Sequence, residues 1–294
     1  MKKKMVALVI LLSAALAGCG NNENVSEQGN DAFKMAKVSC VGADSQVLAE
    51  VNISINTEEN TSESGAVTVD KSTMNNSVDG RELPIYCVDT EEKKIALSFD
   101  AAWGNEDTQD ILSILKKHNV HVTFFMTGEW VENYPEDVKA ILAAGHDLGN
   151  HSENHKNMSQ LSDGECEEEL MAVHRKVKEL TGYEMFLFRP PYGDYDNDVI
   201  NVAKKCSYYP IQWDVDSLDW QNEGVDAILK TVTTHKNLGS GSIILCHNGA
   251  EYTAQALDSL LTNLEGQGYT IVPVSELIYR DNYHLNYEGR QIRG

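Results

Sequence analysis

Five short polar segments of the sequence each follow an apolar, strand-like stretch. In chain order they are Ser98–Asp100, His151–His155, Arg189–Gly193, Asp216–Trp220 and Leu245–His247. Together they supply two carboxylates, a pair of imidazoles, a guanidinium group and one further imidazole. This set is typical of metal-assisted hydrolysis of an acyl group, in which a metal activates water while an acid and a base move protons.

The paired imidazoles are the candidate metal ligands. His151 and His155 are four residues apart, so they would share one face if a helical turn begins there. Two neutral imidazoles can chelate a divalent transition metal, and we expect zinc, with cobalt or manganese as alternatives. A pair of surface histidines is the competing interpretation.

The remaining polar groups could move protons or hold those that do. Asp100 ends its strand and can take a proton from an attacking water, although an Asp there could also cap a helix. His247 could be a general acid because the reference pKa of histidine is near neutrality; a core histidine is the alternative. Arg189 precedes two prolines, which would restrain the backbone and hold the guanidinium toward the mouth of the barrel. An arginine that only stabilises a loop is the alternative. Asp219 could pair with an Arg or a His.

The segments between these groups alternate between strand and helix patterns. We predict strands at 95–99, 120–126, 146–150, 185–188, 209–215, 242–246 and 270–274. We predict helices at 107–117, 136–144, 165–181, 197–205, 225–236 and 253–266. Such alternation predicts an α/β domain, a (β/α) barrel of about seven parallel strands with outer helices. An open doubly wound sheet is the alternative, but no Gly-rich phosphate fingerprint follows the first strand.

A barrel would place the polar segments together, because chemistry in this fold lies at the carboxyl ends of the strands. Strand alternation adds a specific expectation for the last segment. Leu245 and His247 should share one face, with Cys246 on the other.

The N-terminal part resembles a targeting segment. Three lysines (Lys2–Lys4) precede an apolar stretch at 5–16, and Leu16–Cys19 resembles a bacterial lipobox. We therefore expect a signal peptide at 1–18 and lipidation at Cys19. The protein would then be extracytoplasmic, a lipoprotein anchored to the outer face of the cell membrane. An ordinary cleaved signal peptide is the alternative.

The next segment is rich in Asn, Ser, Glu, Thr and Gly without a sustained helical period. We expect 19–81 to be a mostly disordered tether, with a small β module as the alternative, and 82–294 to be the catalytic domain. A pairing of Cys40 with Cys87 is conceivable. The formal net charge of −21 argues against binding nucleic acid through phosphate contacts.

The five segments resemble, in order and spacing, the motifs of the polysaccharide deacetylase family, also called carbohydrate esterase family 4. The similarity covers roughly residues 85 to 280. It implies an irregular β/α barrel that removes N- or O-acetyl groups from chitin, peptidoglycan or xylan. It also implies the following roles: Asp100 as catalytic base, His151 and His155 as metal ligands, Arg189 positioning the base, the Tyr192 N–H as oxyanion donor, Asp219 bracing Arg189, Trp220 and Leu245 shaping the substrate pocket, and His247 as acid.

One position departs from the family pattern. The first motif of the family has two consecutive aspartates, the second of which binds metal, but Ala101 stands there in this chain. Waters or a nearby oxygen ligand could complete the site, with Asn105, Glu106 and Asp107 as candidates. Alternatively, the two histidines hold the metal more weakly, or the protein is inactive.

The resemblance therefore implies a metal-dependent hydrolase that removes N-acetyl groups from amino sugars. Peptidoglycan is the expected substrate, because the lipobox would place the enzyme beside it. Two alternatives remain open: an O-acetyl esterase acting on xylan or muramic acid, and an inactive glycan-binding lipoprotein.

Overall fold

The computed structural model describes residues 76–294, which belong to one compact unit. The expected signal peptide, Cys19, Cys40 and most of the tether therefore lie outside the described residues. The described residues before the predicted boundary at 82 already belong to the domain. Ser77–Val78 pairs with Arg81–Glu82, and the buried Asn76 side chain donates to the Leu83 carbonyl. Residues 76–81 are thus part of the domain rather than of a tether.

Strands and helices alternate through most of the described chain. The strands are β1 (Ser77–Val78), β2 (Arg81–Glu82), β3 (Cys87–Val88), β4 (Lys94–Ala101), β5 (Thr123–Met126), β6 (Asp147–Asn150), β7 (Leu187–Phe188), β8 (Tyr209–Pro210), β9 (Val215–Asp216), β10 (Ile243–Asn248), β11 (Thr270–Val272), β12 (Tyr283–Leu285) and β13 (Arg290–Arg293). The helices are α1 (Thr108–His118), α2 (Gly128–Asn133), α3 (Pro135–Ala143), α4 (Asp163–Thr181), α5 (Asn197–Lys205), α6 (Val225–Thr233), α7 (Thr253–Gly266) and α8 (Val274–Leu277).

The main sheet is parallel throughout and forms a half-barrel surrounded by helices. Its strand order is β8-β7-β6-β5-β4-β10-β9, and β11 pairs with the beginning of β4. This confirms the predicted α/β barrel of about seven parallel strands, in its irregular form. Because every strand runs the same way, their carboxyl ends meet at one mouth.

The predicted strand at 209–215 is wrong in its middle. Its two ends form β8 and β9, while residues between them make hydrogen bonds outside the ladder of the main sheet. Gln212 donates its N–H to Ile85, and the Asp214 carboxylate accepts from the Ile243 N–H. These tertiary hydrogen bonds replace the ladder that a continuous strand would need.

Successive side chains of strand β4 point alternately into two separate clusters of the hydrophobic core. Leu97, Phe99 and Ala101 pack with the helices, whereas Ala96 belongs to the cluster inside the barrel. Asp100 follows the same alternation as Ala96 and lines the cavity at the mouth. The strand therefore directs its carboxylate inward and its neighbouring methyl group outward.

Several elements were not predicted. Thr127 caps the start of helix α2 by accepting the Trp130 N–H with its side chain, and a small sheet joins β12, β13 and β3. Cys87 forms no disulfide with any described residue. Within residues 76–294, no helix combines the length and the apolar character needed to cross a bilayer.

Candidate active site

A cavity of about 660 Å³ opens at the mouth of the half-barrel. Most of the predicted site residues line it: Asp100, His151, His155, Tyr192, Trp220, Leu245 and His247. Arg189 and Asp219 lie directly behind them and are fully buried. Cys246 packs in the outer core instead, which confirms the predicted alternation along β10.

The two histidines of the second segment face each other. Their Nε2 atoms are 3.2 Å apart, and the Nδ1 of His151 lies 2.7 Å from the Arg189 carbonyl oxygen. A carbonyl can only accept, so Nδ1 carries the hydrogen and Nε2 of His151 keeps its lone pair. Such a contact from the outer nitrogen is the usual support of a metal-binding imidazole.

Both imidazoles are held in the neutral form that binds metal. Burial lowers the pKa of His151 below its usual value. Burial and the neighbouring His151 lower the pKa of His155 to about 4. The donor set therefore suits a divalent transition metal.

The condition under which helical spacing would bring these histidines together is not met. Ser152 and His155 both have left-handed backbone angles, with φ of 65° and 51°, and no helix spans the segment. Neighbouring polar groups hold this unusual loop. The Asn150 side-chain oxygen accepts a hydrogen bond from the Ser152 N–H. The buried Glu169 carboxylate accepts hydrogen bonds from the backbone N–H and the side-chain amide of Asn154. The imidazoles converge because of this loop rather than because of helical spacing.

Asp100 and Arg189 form a buried ion pair. The guanidinium donates to Oδ1 of Asp100 at 2.7 Å and to the Ser98 hydroxyl at 2.9 Å. The second carboxylate oxygen lies 3.5 Å from the Nε2 of His151. Burial alone would raise the pKa of Asp100, but the charges of Arg189, His151 and His247 and the Arg189 hydrogen bond together outweigh it and hold the pKa below the usual value. Asp100 is thus an ionised carboxylate that faces the histidine pair.

Asp219 braces His247, and the expected bracing of Arg189 by Asp219 is wrong. The imidazole Nδ1 of His247 lies 2.7 Å from one Asp219 oxygen. The His247 backbone N–H and the Thr253 hydroxyl donate to the other oxygen. Burial opposes protonation of the ring, but the Asp219 hydrogen bond and charge raise the pKa of His247 above its usual value. The residue types left an Arg or a His open as the partner of Asp219, and the fold selects the histidine.

Aromatic side chains form the rim of the cavity. Tyr192 and Trp220 are largely exposed, and the ring of Tyr192 lies 4.5 Å from that of His155. Trp103, which no sequence motif singled out, packs 5.4 Å from the His247 ring and 6.1 Å from the His155 ring. Its position three residues after Asp100 was the available signal. These faces suit the apolar faces of a carbohydrate.

Within the described part of the chain, no third protein ligand completes the histidine pair. The Asn105 side chain donates a hydrogen bond to Asp137, and the Asp107 carboxylate accepts one from the Gly249 N–H, so both are already engaged elsewhere. Glu106 is exposed and does not line the cavity. Ala101 packs in the outer core. Among residues 76–294, no group of three or more His, Cys, Asp or Glu side chains is arranged to hold a metal. The donors fit a site with two imidazole ligands and positions left open to water.

The sequence has known relatives. Residues 88–211 match the family described as polysaccharide deacetylase. A peptidoglycan-N-acetylglucosamine deacetylase of Bacillus cereus is 38% identical, and the match covers 65% of this chain and 91% of that protein. The peptidoglycan-N-acetylmuramic acid deacetylase PdaA of Bacillus subtilis is 34% identical, over 68% of this chain and 77% of that protein.

Other relatives are less informative about activity. The uncharacterized protein YlxY of Bacillus subtilis is 35% identical over 66% of this chain, which spans only 60% of YlxY. Among solved structures, BA3943 of Bacillus anthracis, described as a CE4 family pseudoenzyme, superposes with a TM-score of 0.64 at 33% identity. That match covers 72% of this chain and 73% of BA3943. Fold, site geometry and relatives agree: the chain belongs to the polysaccharide deacetylase family.

Proposed function

We propose that this protein is a metal-dependent hydrolase that removes N-acetyl groups from amino sugars of peptidoglycan. The observation that carries the proposal is the pairing of an ionised Asp100 with a protonatable His247 across one cavity. Each is braced by its own buried partner, Arg189 or Asp219. The names of the Bacillus cereus and Bacillus subtilis relatives support peptidoglycan as the substrate.

Polysaccharide deacetylases generally depend on a divalent metal. In this chain His151 and His155 would hold it, and we propose zinc, with cobalt or manganese as alternatives. The bound metal would supply a Lewis acid that polarises the acetyl carbonyl and lowers the pKa of water.

The side chains of the protein carry the proton transfers. Asp100 takes a proton from the attacking water, and Arg189 keeps the carboxylate ionised and in place. His247 donates a proton to the departing amine from Nε2, because Nδ1 is committed to Asp219. The Tyr192 N–H is the proposed oxyanion donor, a contact worth about 3 kcal/mol by comparison with other such donors.

Acetate release is the direct test. The full chain, supplied in turn with zinc, cobalt and manganese, should release acetate from purified peptidoglycan. N- and O-acetylated oligosaccharides run in parallel separate an amidase from an O-acetyl esterase. A folded protein that releases no acetate with any of these metals contradicts the proposal.

A second candidate function is glycan binding without hydrolysis. Ala101 and the similarity to a pseudoenzyme favour it. This candidate predicts glycan binding that is independent of metal, with no acetate release. The Ala101→Asp variant offers a further discriminator, because gain of activity only in this variant would show that the natural chain lacks an essential ligand.

We also propose that the protein is a lipoprotein on the outer face of the cell membrane, anchored through Cys19. The lipobox-like Leu16–Cys19 supports this. Metabolic labelling with a fatty-acid analogue should mark the natural chain and not Cys19→Ala. Equal labelling of both chains would contradict the anchor.

A further inference from the structure

The side chain of Asn150 uses all of its hydrogen-bonding atoms directly beside the metal ligands. Asn150 ends strand β6 and is fully buried. Its amide nitrogen donates to the Leu170 carbonyl at 2.8 Å and to the Tyr208 hydroxyl at 3.0 Å. Its amide oxygen accepts the Ser152 N–H at 2.9 Å. The amide is therefore fixed in orientation, and it holds the peptide group that follows His151.

The turn at Ser152 needs such support from outside. Its left-handed φ of 65° is unfavourable for a residue that carries a Cβ. The Ser152 hydroxyl is buried and has no hydrogen-bond partner among the described residues, so this side chain does not hold the turn itself. The support at the start of the turn comes from Asn150, as that at Asn154 comes from Glu169.

The hydrogen bonds continue from Asn150 toward the surface, and their directions are all determined. Because the Tyr208 oxygen accepts from Asn150, the Tyr208 hydrogen points to Nδ1 of His174, 2.7 Å away. Nδ1 therefore accepts, and His174 donates from Nε2 to the Glu184 carboxylate at 2.9 Å. Hydrogen bonds aligned in this way strengthen one another. Tyr208 is fully buried in the middle of this network.

We propose that Asn150 and Tyr208 are positioning residues of the metal site. Neither lines the cavity, and they act by fixing the turn that directs His151 and His155 at each other. The inference rests on the metal-dependent hydrolase proposed above. Since the described residues offer no third protein ligand, the affinity for a cation depends on how well the protein presets these two imidazoles.

The adjacent tyrosine provides a matched control. Tyr209 is also buried, but it belongs to the cluster inside the barrel, whereas Tyr208 packs in the outer core. The Tyr209 hydroxyl donates to the Arg280 carbonyl at 2.7 Å. Tyr208→Phe and Tyr209→Phe each remove one buried hydroxyl and keep the ring, so we expect similar losses of unfolding free energy without metal. Only Tyr208→Phe should alter the metal site.

The test is a calorimetric titration of the full chain and the two variants with cobalt. Tyr208→Phe should weaken cobalt binding about tenfold, as changes behind the ligands of metal sites do. Tyr209→Phe should leave the affinity nearly unchanged. The visible spectrum of bound cobalt depends on how its ligands are arranged, and it should change in Tyr208→Phe alone. Excess cobalt should restore most of the acetate release by Tyr208→Phe, because the proton-transfer groups are intact.

A second variant keeps the proposal testable if Tyr208→Phe does not fold. His174→Phe removes the acceptor of the Tyr208 hydroxyl from the half-buried end of the network, and it keeps a ring where His174 packs edge-on against Tyr208. It should weaken cobalt binding less than Tyr208→Phe and more than Tyr209→Phe, because Asn150 keeps its bonds to Leu170 and Ser152.

The possible failures are distinguishable. Cobalt binding of natural strength in Tyr208→Phe and His174→Phe overturns the inference and leaves the proposed hydrolase intact. An equal loss of affinity in Tyr208→Phe and Tyr209→Phe also overturns it, because the effect would then be a general loosening of the core. A natural chain that binds no cobalt refutes the proposed metal site, and this inference with it.

Discussion

The two sides of the cavity are built differently. On the acid side, Asp219 accepts from the His247 ring, the His247 backbone and Thr253, so every partner is already supplied by the protein. On the metal side, the Nε2 atoms of His151 and His155 face each other at 3.2 Å, with an Asp100 oxygen 3.5 Å from the first. The acid side is complete as folded, whereas the metal side gathers electron-pair donors that a cation would satisfy.

The largest expected effects come from removing the proton-transfer group of each side. Asp100→Asn and His247→Gln should each lower kcat/KM by about 10²- to 10⁴-fold, because each removes one general catalyst. The two should differ in stability. Asp100→Asn leaves the buried charge of Arg189 without a counter-ion, which costs about 3 kcal/mol of unfolding free energy.

His247→Gln should cost less stability, since Asp219 keeps its bonds to a backbone N–H and to Thr253. Steady-state kinetics and urea unfolding of both variants test the contrast. A larger loss of unfolding free energy in His247→Gln than in Asp100→Asn would contradict the view that the acid side is complete as folded.

Metal addition should stabilise the protein through the metal side alone. Metal at a hundredfold excess over its Kd should raise the unfolding free energy by about 2.7 kcal/mol. His155→Ala should abolish this rise, and His247→Gln should preserve it. Thermal unfolding with and without chelator gives the measurement, and a rise that survives His155→Ala would place the cation elsewhere.

Acid should destabilise the protein through a buried histidine outside the cavity as well as through His151 and His155 within it, and this effect must be separated from any acid loss of activity. Burial and the nearby His121 lower the pKa of His146 to about 4, and its Nδ1 accepts the Val122 N–H. The unfolded chain binds this proton near pH 6.5 and the folded chain does not until about pH 4. Stability should therefore fall as the pH drops through this window, by about 3 kcal/mol for this group.

The variant His146→Asn keeps an acceptor near the Val122 N–H but does not titrate. Its unfolding free energy should change less between pH 7 and pH 4 than that of the natural chain. An identical slope for both would remove His146 as the cause.

The smallest expected effect concerns the influence of Asp219 on the pKa of His247. Asp219→Asn should lower kcat by roughly 10²-fold and shift the alkaline limb of the pH profile to lower pH. The shift follows because Asp219 raises the pKa of His247, and the acid must be protonated to act. A limb that stays in place would show that Asp219 orients the ring without tuning it.

The sequence predicted what depends on strand direction and alternation. It placed the five polar segments at one mouth, and it put Leu245 and His247 on the opposite face from Cys246. These features follow from local patterns that repeat along the chain.

The features it missed depend on tertiary contacts. The partner of Asp219 was left between an Arg and a His, and the resemblance favoured the wrong one. The turn at 151–155 is held by Glu169, a residue from α4 that no local pattern connects to it. Trp103 shows its role only once the fold brings its ring beside His155 and His247.

Anomalous diffraction from crystals grown with zinc or manganese tests the central claim most directly. We predict one peak within bonding distance of the Nε2 atoms of both His151 and His155, in a preparation that also releases acetate. A saturated crystal with no peak between these two rings, or with the rings turned apart, would contradict it.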